Sequence, residues 1–295
     1  MFDPAKPFFY CQHEHPNGTC HDRTSKSANS KEIVRALSAF PNAVAFSGHS
    51  HFAISDERAV WQGAFTSIGA GCIHEGAASF AYDNVSAFWH PSGRKNLMGS
   101  LADPRSWGGD AKGGGCELVE VFDDHLVVHR QSIDFGRPIG PAWIVPIGGG
   151  RGATALPNAI FDFAKRAAQR KAQGAVPQFA VGAKIVAKLC PNGHVLESAA
   201  HKGKPCLYVT FPRAKTVKGC RVFDYTVEAC AEGGQPIVRK LIAAGFAYPE
   251  ADADLPGECL FSTAEVPSDR PIRFTVTPRD CFGLAGRPLS CVVNV

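Results

Sequence analysis

The sequence predicts an α/β segment followed by an all-β sandwich, and three observations support this prediction. Between Pro7 and His51 the chain runs in the order strand, histidine-bearing loop, helix, strand, histidine-bearing loop. From Val176 onward, short runs of alternating apolar residues are separated by turn residues. The 295 residues include 30 Gly and 21 Pro, a density that favours strands joined by turns over long helices. The length is sufficient for two domains with separate cores.

The α/β segment begins with an apolar run. Residues 7–12 predict a buried strand that leads into a loop with His13. Residues 30–40 predict an amphipathic helix, because apolar side chains recur there at helical spacing. Residues 43–47 predict a second strand that leads into Gly48-His49-Ser50-His51. Open sheets place their ligands at strand ends, so we expect these loops to lie at one edge of the sheet.

The rest of the first segment contains shorter elements. The sequence predicts strands at 59–62 and 64–68, an irregular Gly-rich stretch at 71–115, a hairpin of 116–122 and 126–133, a linker at about 136–157 and a helix at about 158–173.

From Val176 the pattern changes to strands alone. The predicted strands are 183–189, 206–211, 221–231, 237–243, 272–277 and 289–293. This spacing over about 120 residues is typical of a sandwich of immunoglobulin or fibronectin type III character. We therefore divide the chain into residues 1–147, a linker and helix at 148–175, and a β-sandwich at 176–295.

Composition excludes several classes of protein. The net charge of +4 comes from scattered Lys and Arg, which gives no support for nucleic-acid binding. The mean hydropathy of −0.08 and the absence of a long apolar run exclude a membrane span. No signal peptide is recognisable, which predicts a cytoplasmic protein unless an upstream segment carried one. The 11 cysteines include no Cys-x-x-Cys pair and are expected to be reduced thiols, although Cys220 and Cys230 can bridge in an oxidising compartment.

The histidines at the two strand ends predict a metal site. His49 and His51 are separated by one residue and can reach two different metal ions a few Å apart, and His13 completes the set from the neighbouring strand end. Neutral imidazole is a strong ligand for Zn, Fe and Mn. A dinuclear centre of this kind orients a phosphate and lowers the pKa of a bridging water.

The residues around these histidines resemble a known family. The stretch 42–51, followed by Asp56-Glu57-Arg58 and by 61–69, resembles the C-terminal half of a calcineurin-like metallophosphoesterase. Gly-His-x-His is that family's last metal motif, and Tyr10-Cys11-Gln12-His13 is similar to the motif before it. The resemblance covers about Pro7 to Pro146, and its end, 141–146, resembles the end of the catalytic domain in bacterial members with an added β-sandwich.

The resemblance implies a fold and a ligand set. It implies that residues 1–147 are the C-terminal portion of the family's β-sandwich with flanking helices. It implies that His13 and His49 ligate one metal ion and that His51 ligates the other, in a centre of two Fe, Mn or Zn ions. The implied substrate is a phosphoester.

Other motifs of the family are missing from this chain. The family's centre also uses an Asp-x-His pair, a Gly-Asp with the bridging aspartate and a Gly-Asn-His, all before the last two motifs, and too few residues precede His13 to contain them. Asp123-Asp124-His125 comes later and predicts a turn. We therefore expect an N-terminally truncated metallophosphoesterase that does not hydrolyse phosphoesters alone, with no catalytic residue assigned, and that acts on a phosphoester only when its N-terminal half is present.

Three other interpretations remain open at this point. The β-sandwich can be a carbohydrate- or protein-binding module beside a vestigial catalytic portion. A separate chain can supply the missing metal ligands. A mononuclear zinc site can form within a dense cluster of Cys11, His13, His15, Cys20 and His21. Glu14 and His15 either line the entrance near His13 or are solvated loop residues, and the second interpretation is the preferred one.

Overall fold

The computed structural model is mostly β-sheet with two short helices among the residues that it describes. The described residues are 6–20, 30–49, 54–71, 115–133, 136–147, 161–194, 203–215, 217, 221–243 and 256–294. They form two compact units, and the division falls between Gln169 and Arg170. This point lies within the predicted linker and helix at 148–175.

The first sheet of the first unit is mainly parallel. Its strands are β1 (Phe8–Gln12), β2 (Ala43–Ser47), β3 (Val60–Gln62) and β4 (Thr66–Gly69), in the order β1-β2-β4-β3. Strands β1, β2 and β4 run parallel, and β3 is antiparallel to β4. Helix α1 (Ser30–Leu37) lies between β1 and β2 in the chain, as predicted. Gln12 pairs with Ser47, so β1 and β2 end at the same edge of the sheet.

A second, antiparallel sheet completes the first unit. It contains β5 (Gly115–Val121), β6 (His125–Ser132), β7 (Arg137–Pro138) and β8 (Trp143–Pro146). β5 pairs with β6 as the predicted hairpin, and β7 and β8 also pair with β6.

Alternation along β2 explains how the layers pack. Ala43 and Ala45 pack in one cluster with Leu37 of α1. Val44 between them packs in a different cluster with Val128 of β6 and with other residues of the second sheet. Successive side chains of a strand point to opposite faces, so one face of the first sheet packs on α1 and the other on the second sheet. The order of layers is helix, sheet, sheet.

Helix α2 (Phe163–Ala172) is shorter than the predicted 158–173. Asp162 precedes it, and its Oδ1 accepts a hydrogen bond from the backbone N–H of Lys165 at 2.8 Å. This contact caps the first turn and accounts for where the helix begins. None of the helices in the described part of the chain has both the length and the apolar character needed to span a bilayer.

The second unit has two antiparallel sheets. Its strands are β9 (Val186–Cys190), β10 (Cys206–Phe211), β11 (Asp224–Ala231), β12 (Ile237–Ile242), β13 (Gly257–Ser262), β14 (Ile272–Arg279) and β15 (Leu289–Val293). One sheet has the order β13-β10-β9 and the other β12-β11-β14-β15. The sheets face each other through aromatic residues, with the Phe261 and Phe274 ring centroids 6.1 Å apart. Sequence analysis predicts six of these strands and misses β13.

Candidate functional site

Backbone hydrogen bonds fix the two loops that follow β1 and β2. The N–H groups of Gly48 and His49 both donate to the carbonyl oxygen of His13, at 3.2 and 2.8 Å. The N–H of Ala70 donates to the carbonyl oxygen of Ser47 at 2.8 Å. The pairing of the parallel strands therefore continues past their ends and holds the loop after β2 against the loop after β1.

The structure brings two of the three predicted site residues together. The His13 Nε2 and His49 Nδ1 atoms are 3.0 Å apart. The two rings meet edge to face, with centroids 4.8 Å apart and planes at 71°. Both side chains are exposed. His51 lies outside the residues that the structure describes.

The distance between these nitrogen atoms suits two ligands of one metal ion. Two nitrogens about 2.0–2.1 Å from an ion, at bond angles of roughly 90–110°, lie about 2.9–3.4 Å apart. The observed 3.0 Å is within this range. No group of three or more His, Cys, Asp and Glu side chains that could hold a metal occurs among the described residues. The two histidines therefore fit two ligands of a metal site that needs further ligands to be complete.

Glu14 contacts the other nitrogen of His49. Its Oε1 lies 3.2 Å from His49 Nε2, and the carboxylate is half-buried. When Nε2–H donates to this carboxylate, Nδ1 carries the lone pair that faces His13. Ligating histidines in metal sites commonly donate their second ring N–H to a carboxylate in this way. Of the two interpretations of Glu14 from the sequence, the contact with His49 favours a place beside the histidines and corrects the preferred one, a solvated loop residue.

Two buried polar atoms lie next in the chain to these loops. Gln12 Nε2 and Ser47 Oγ are buried and have no hydrogen-bond partner among the described residues, although Gln12 Oε1 accepts from the Tyr10 hydroxyl at 2.8 Å. Gln12 and Ser47 are register partners at the ends of β1 and β2. Buried polar groups are normally paired, so an unpaired set at one sheet edge is unusual. Unpaired polar atoms thus occur at the ends of the two strands from which the histidine loops leave the sheet.

The predicted mononuclear zinc site is not formed by its described members. The Cys20 thiol is buried, and the two acceptors within reach of its one proton are the carbonyl oxygen of Ala59 at 3.2 Å and Ser67 Oγ at 3.3 Å. Burial raises the pKa of Cys20 to about 12, which keeps it a thiol, whereas metal ligation needs a thiolate. His15 is also buried, with 2% of its surface exposed, and not solvated as expected. His21, the fifth member, lies outside the described residues.

The Asp123-Asp124-His125 triplet forms a turn, as predicted. The N–H of Phe122 donates to the carbonyl oxygen of His125 at 2.9 Å and closes the β5–β6 hairpin. Asp124 Oδ1 lies 2.6 Å from His125 Nδ1, and this hydrogen bond lowers the pKa of Asp124. The triplet therefore has a local structural role at the hairpin tip.

Comparisons of the chain with protein-family models, with curated proteins and with solved structures give no match. The observations that bear on function are therefore the sequence motifs and the geometry of His13, His49 and Glu14.

Proposed function

We propose that residues 1–147 are the C-terminal portion of a calcineurin-like metallophosphoesterase domain, in which His13 and His49 hold one metal ion. The observation that carries this proposal is the 3.0 Å distance between His13 Nε2 and His49 Nδ1 at the ends of adjacent parallel strands. His51 is the proposed ligand of the second ion. The remaining ligands, from Asp-x-His, Gly-Asp and Gly-Asn-His motifs, would come from polypeptide outside this chain.

The layers of the first unit support the proposal. A helix, a mainly parallel sheet and a second sheet are stacked in that order, which agrees with the expected sandwich with flanking helices. Among the described strands, β1 is at one edge of the first sheet, and its Phe9 side chain is 45% exposed. An edge strand presents unpaired backbone groups to which another strand can add. In a complete domain of the proposed kind, a further strand would pair there and cover Phe9.

The chain's own residues supply positioning more than charge. A pair of Fe, Mn or Zn ions in this family's centre would orient the phosphoester and lower the pKa of a bound water. His13 and His49 offer neutral nitrogen ligands, and Glu14 orients the His49 ring. Two cations close together need bridging carboxylates to offset their repulsion, and these histidines provide none. We therefore expect no phosphoester hydrolysis by this chain alone.

We also propose that residues 176–295 are a fibronectin type III or immunoglobulin-like sandwich. Taken in chain order as strands A, B, C, C′, E, F and G, β9 to β15 give one sheet of A, B and E and another of C′, C, F and G. This division of strands between two antiparallel sheets is typical of that class.

Metal binding tests the first proposal. The purified full chain should contain less than about 0.2 equivalents of metal, and added Co²⁺ should bind weakly at one equivalent per chain, because most ligands are missing. His13→Ala and His49→Ala should each weaken Co²⁺ binding at least about tenfold, measured by equilibrium dialysis. His129→Ala is the control, because His129 lies on β6, where it pairs with Glu120 of β5, away from the ends of β1 and β2. Two tightly bound ions in the isolated chain, or unchanged binding in both variants, would contradict the proposal.

The coding sequence gives an independent check. Reading the DNA upstream of the Met1 codon should reveal an in-frame Asp-x-His, Gly-Asp and Gly-Asn-His in that order. A stop codon directly before Met1, with no second gene product that carries these motifs, would count against a divided metallophosphoesterase.

Glu14 provides a further test of the same site. Glu14→Ala should weaken Co²⁺ binding about 10–100-fold, because the His49 ring loses the acceptor that holds its orientation. Glu14→Gln keeps an acceptor oxygen and should retain most of the affinity. In the metal-free, unsubstituted chain, the ¹⁵N chemical shifts of His49 should report the Nε2–H tautomer. In metal-free Glu14→Ala, they should report a mixture of the two tautomers. The control is Glu32→Ala, which removes an exposed carboxylate on α1; an equal loss in this variant would indicate a general charge effect.

A further inference from the structure

Two cysteines lie directly opposite each other in the second unit. Cys190, the last residue of β9, is the register partner of Cys206, the first residue of β10, in an antiparallel pair. Directly opposed residues in such a pair have Cα atoms about 4.5–5.5 Å apart. Disulfides join residues whose Cα atoms are usually about 4.4–6.8 Å apart. The backbone therefore already has the spacing that a disulfide requires.

The two side chains also share one face of the sheet. Both pack in a small cluster with Leu260 and Tyr208, on the face away from the other sheet. Cys206 is buried, with 4% of its surface exposed, whereas Cys190 on the edge strand is half-buried. Both are thiols in this structure. Cys190 is thus the thiol that a small reagent reaches first, and Cys206 is the thiol beside it.

The other described cysteines of this unit are not placed in this way. Cys230 lies opposite Arg273, Cys291 opposite Phe274 and Cys259 opposite Val209, and Cys281 lies between β14 and β15, outside the strands. In the strand pairs that the structure describes, no other two cysteines are register partners. The alternative pair from the sequence, Cys220 with Cys230, includes a residue outside the described part of the chain.

We propose that Cys190 and Cys206 form a reversible cross-strand disulfide by exchange with a small-molecule disulfide such as oxidised glutathione. The Cys190 thiolate attacks one sulfur of oxidised glutathione and displaces one glutathione thiolate. The Cys206 thiolate then attacks the Cys190 sulfur of the mixed disulfide and displaces the second glutathione. The two protein thiols lose two electrons and two protons, and one glutathione disulfide becomes two glutathione thiols.

The bond would tie an edge strand to the middle strand of its sheet. β9 has only β10 as a neighbour in the described sheet, so its detachment breaks a single row of backbone pairs. A covalent link between the end of β9 and the start of β10 closes the loop of residues 191–205 and lowers the conformational entropy of the unfolded chain. Oxidation would therefore protect the second unit against unfolding, whether or not the first unit belongs to a phosphoesterase.

The test uses the full chain in glutathione buffers. After incubation with oxidised glutathione, blocking of remaining thiols and tryptic digestion, mass spectrometry should detect one cross-linked species that joins the Cys190 and Cys206 peptides. The oxidised chain should melt about 10 °C higher than the reduced chain, and dithiothreitol should reverse the difference. Cys190→Ser should abolish both effects, because the half-buried position on the edge strand tolerates serine, and Cys230→Ser should leave both unchanged.

Two results would overturn the proposal. One is stable glutathionylation of Cys190 without the cross-link in a chain that is folded by circular dichroism. The other is a dominant disulfide between a different pair of cysteines, with the Cys190 and Cys206 peptides left blocked as thiols.

Discussion

Replacing Asp280 with alanine is expected to lower the free energy of unfolding of the second unit by about 3–5 kcal/mol. Asp280 is buried, with 1% of its surface exposed. Its Oδ1 accepts hydrogen bonds from the N–H groups of Phe282 and Leu284, at 2.9 and 2.8 Å. Its Oδ2 lies 3.1 Å from an Nη atom of Arg170, which is also buried.

The size of this effect follows from the two interactions that the Asp280 carboxylate makes. Asp280 holds the turn between β14 and β15 and offsets a buried positive charge at the same time. Its removal takes the acceptor from two turn N–H groups and the counter-charge from Arg170. Each buried donor left without a partner costs about 1–3 kcal/mol, and a buried charge without its counter-charge costs more.

Urea unfolding of the full chain, followed by hydrogen exchange of the β14 and β15 amides, measures the loss. Asp280→Asn keeps an acceptor for the turn but removes the charge, so its free energy of unfolding should lie between those of wild type and Asp280→Ala. The matched control is Asp269→Ala, because Asp269 is exposed and bonds only to its neighbour Arg270 among the described residues; it should change stability by less than about 1 kcal/mol. A deficit below that size for Asp280→Ala would contradict the assigned role.

In the second unit, the sequence predicts the strands where burial alternates. In β10, Leu207, Val209 and Phe211 face the opposing sheet, and its predicted bounds agree with the structure. In β13, by contrast, Cys259, Leu260 and Phe261 are all buried in succession. Leu260 packs on the outer face beside Cys206, so both faces of this strand are covered and the period of two disappears. β13 could not be predicted from its own residues.

The site shows the same division between pattern and placement. The approach of His13 and His49 follows from adjacent parallel strands that end at one edge, which the sequence order indicates. The contact of Glu14 with His49 depends on side-chain placement in a loop, which no periodicity reports. The burial of His15 could not be predicted for the same reason, because the sequence of a loop does not indicate which of its side chains point into the protein.

Glu117 is a residue whose importance the sequence does not indicate at all. It alternates with Val119 on the inner face of β5, directly opposite Arg130 of β6. Both carboxylate oxygens are buried and have no hydrogen-bond partner among the described residues. The Arg130 guanidinium stacks 3.8 Å above the Trp143 ring and donates to backbone carbonyls. Burial raises the pKa of Glu117 from 4.5 to about 8, and the charge of Arg130 only partly opposes this.

The raised pKa of Glu117 makes the stability of the first unit depend on pH. Between pH 4.5 and pH 8 the folded state keeps the Glu117 proton, whereas the unfolded chain has lost it. The contribution of Glu117 to stability is therefore fully present below pH 4.5, decreases as the pH rises towards 8 and levels off above it. The nearby Cys20 thiol, with a pKa of about 12, stays neutral throughout this range.

Glu117→Gln should remove this dependence, because the amide carries no charge in either state. We expect the variant to match wild type within about 1 kcal/mol at pH 4.5 and to be more stable by roughly 3–5 kcal/mol at pH 9. Urea unfolding at both pH values, followed by hydrogen exchange of the β5 and β6 amides, measures the difference. Glu120→Gln is the control on the same strand, since Glu120 is exposed and pairs with His129, and its difference should change far less. A Glu117→Gln difference that stays constant from pH 4.5 to pH 9 would contradict this account, because it would mean that the pKa of Glu117 is the same in the folded and the unfolded chain.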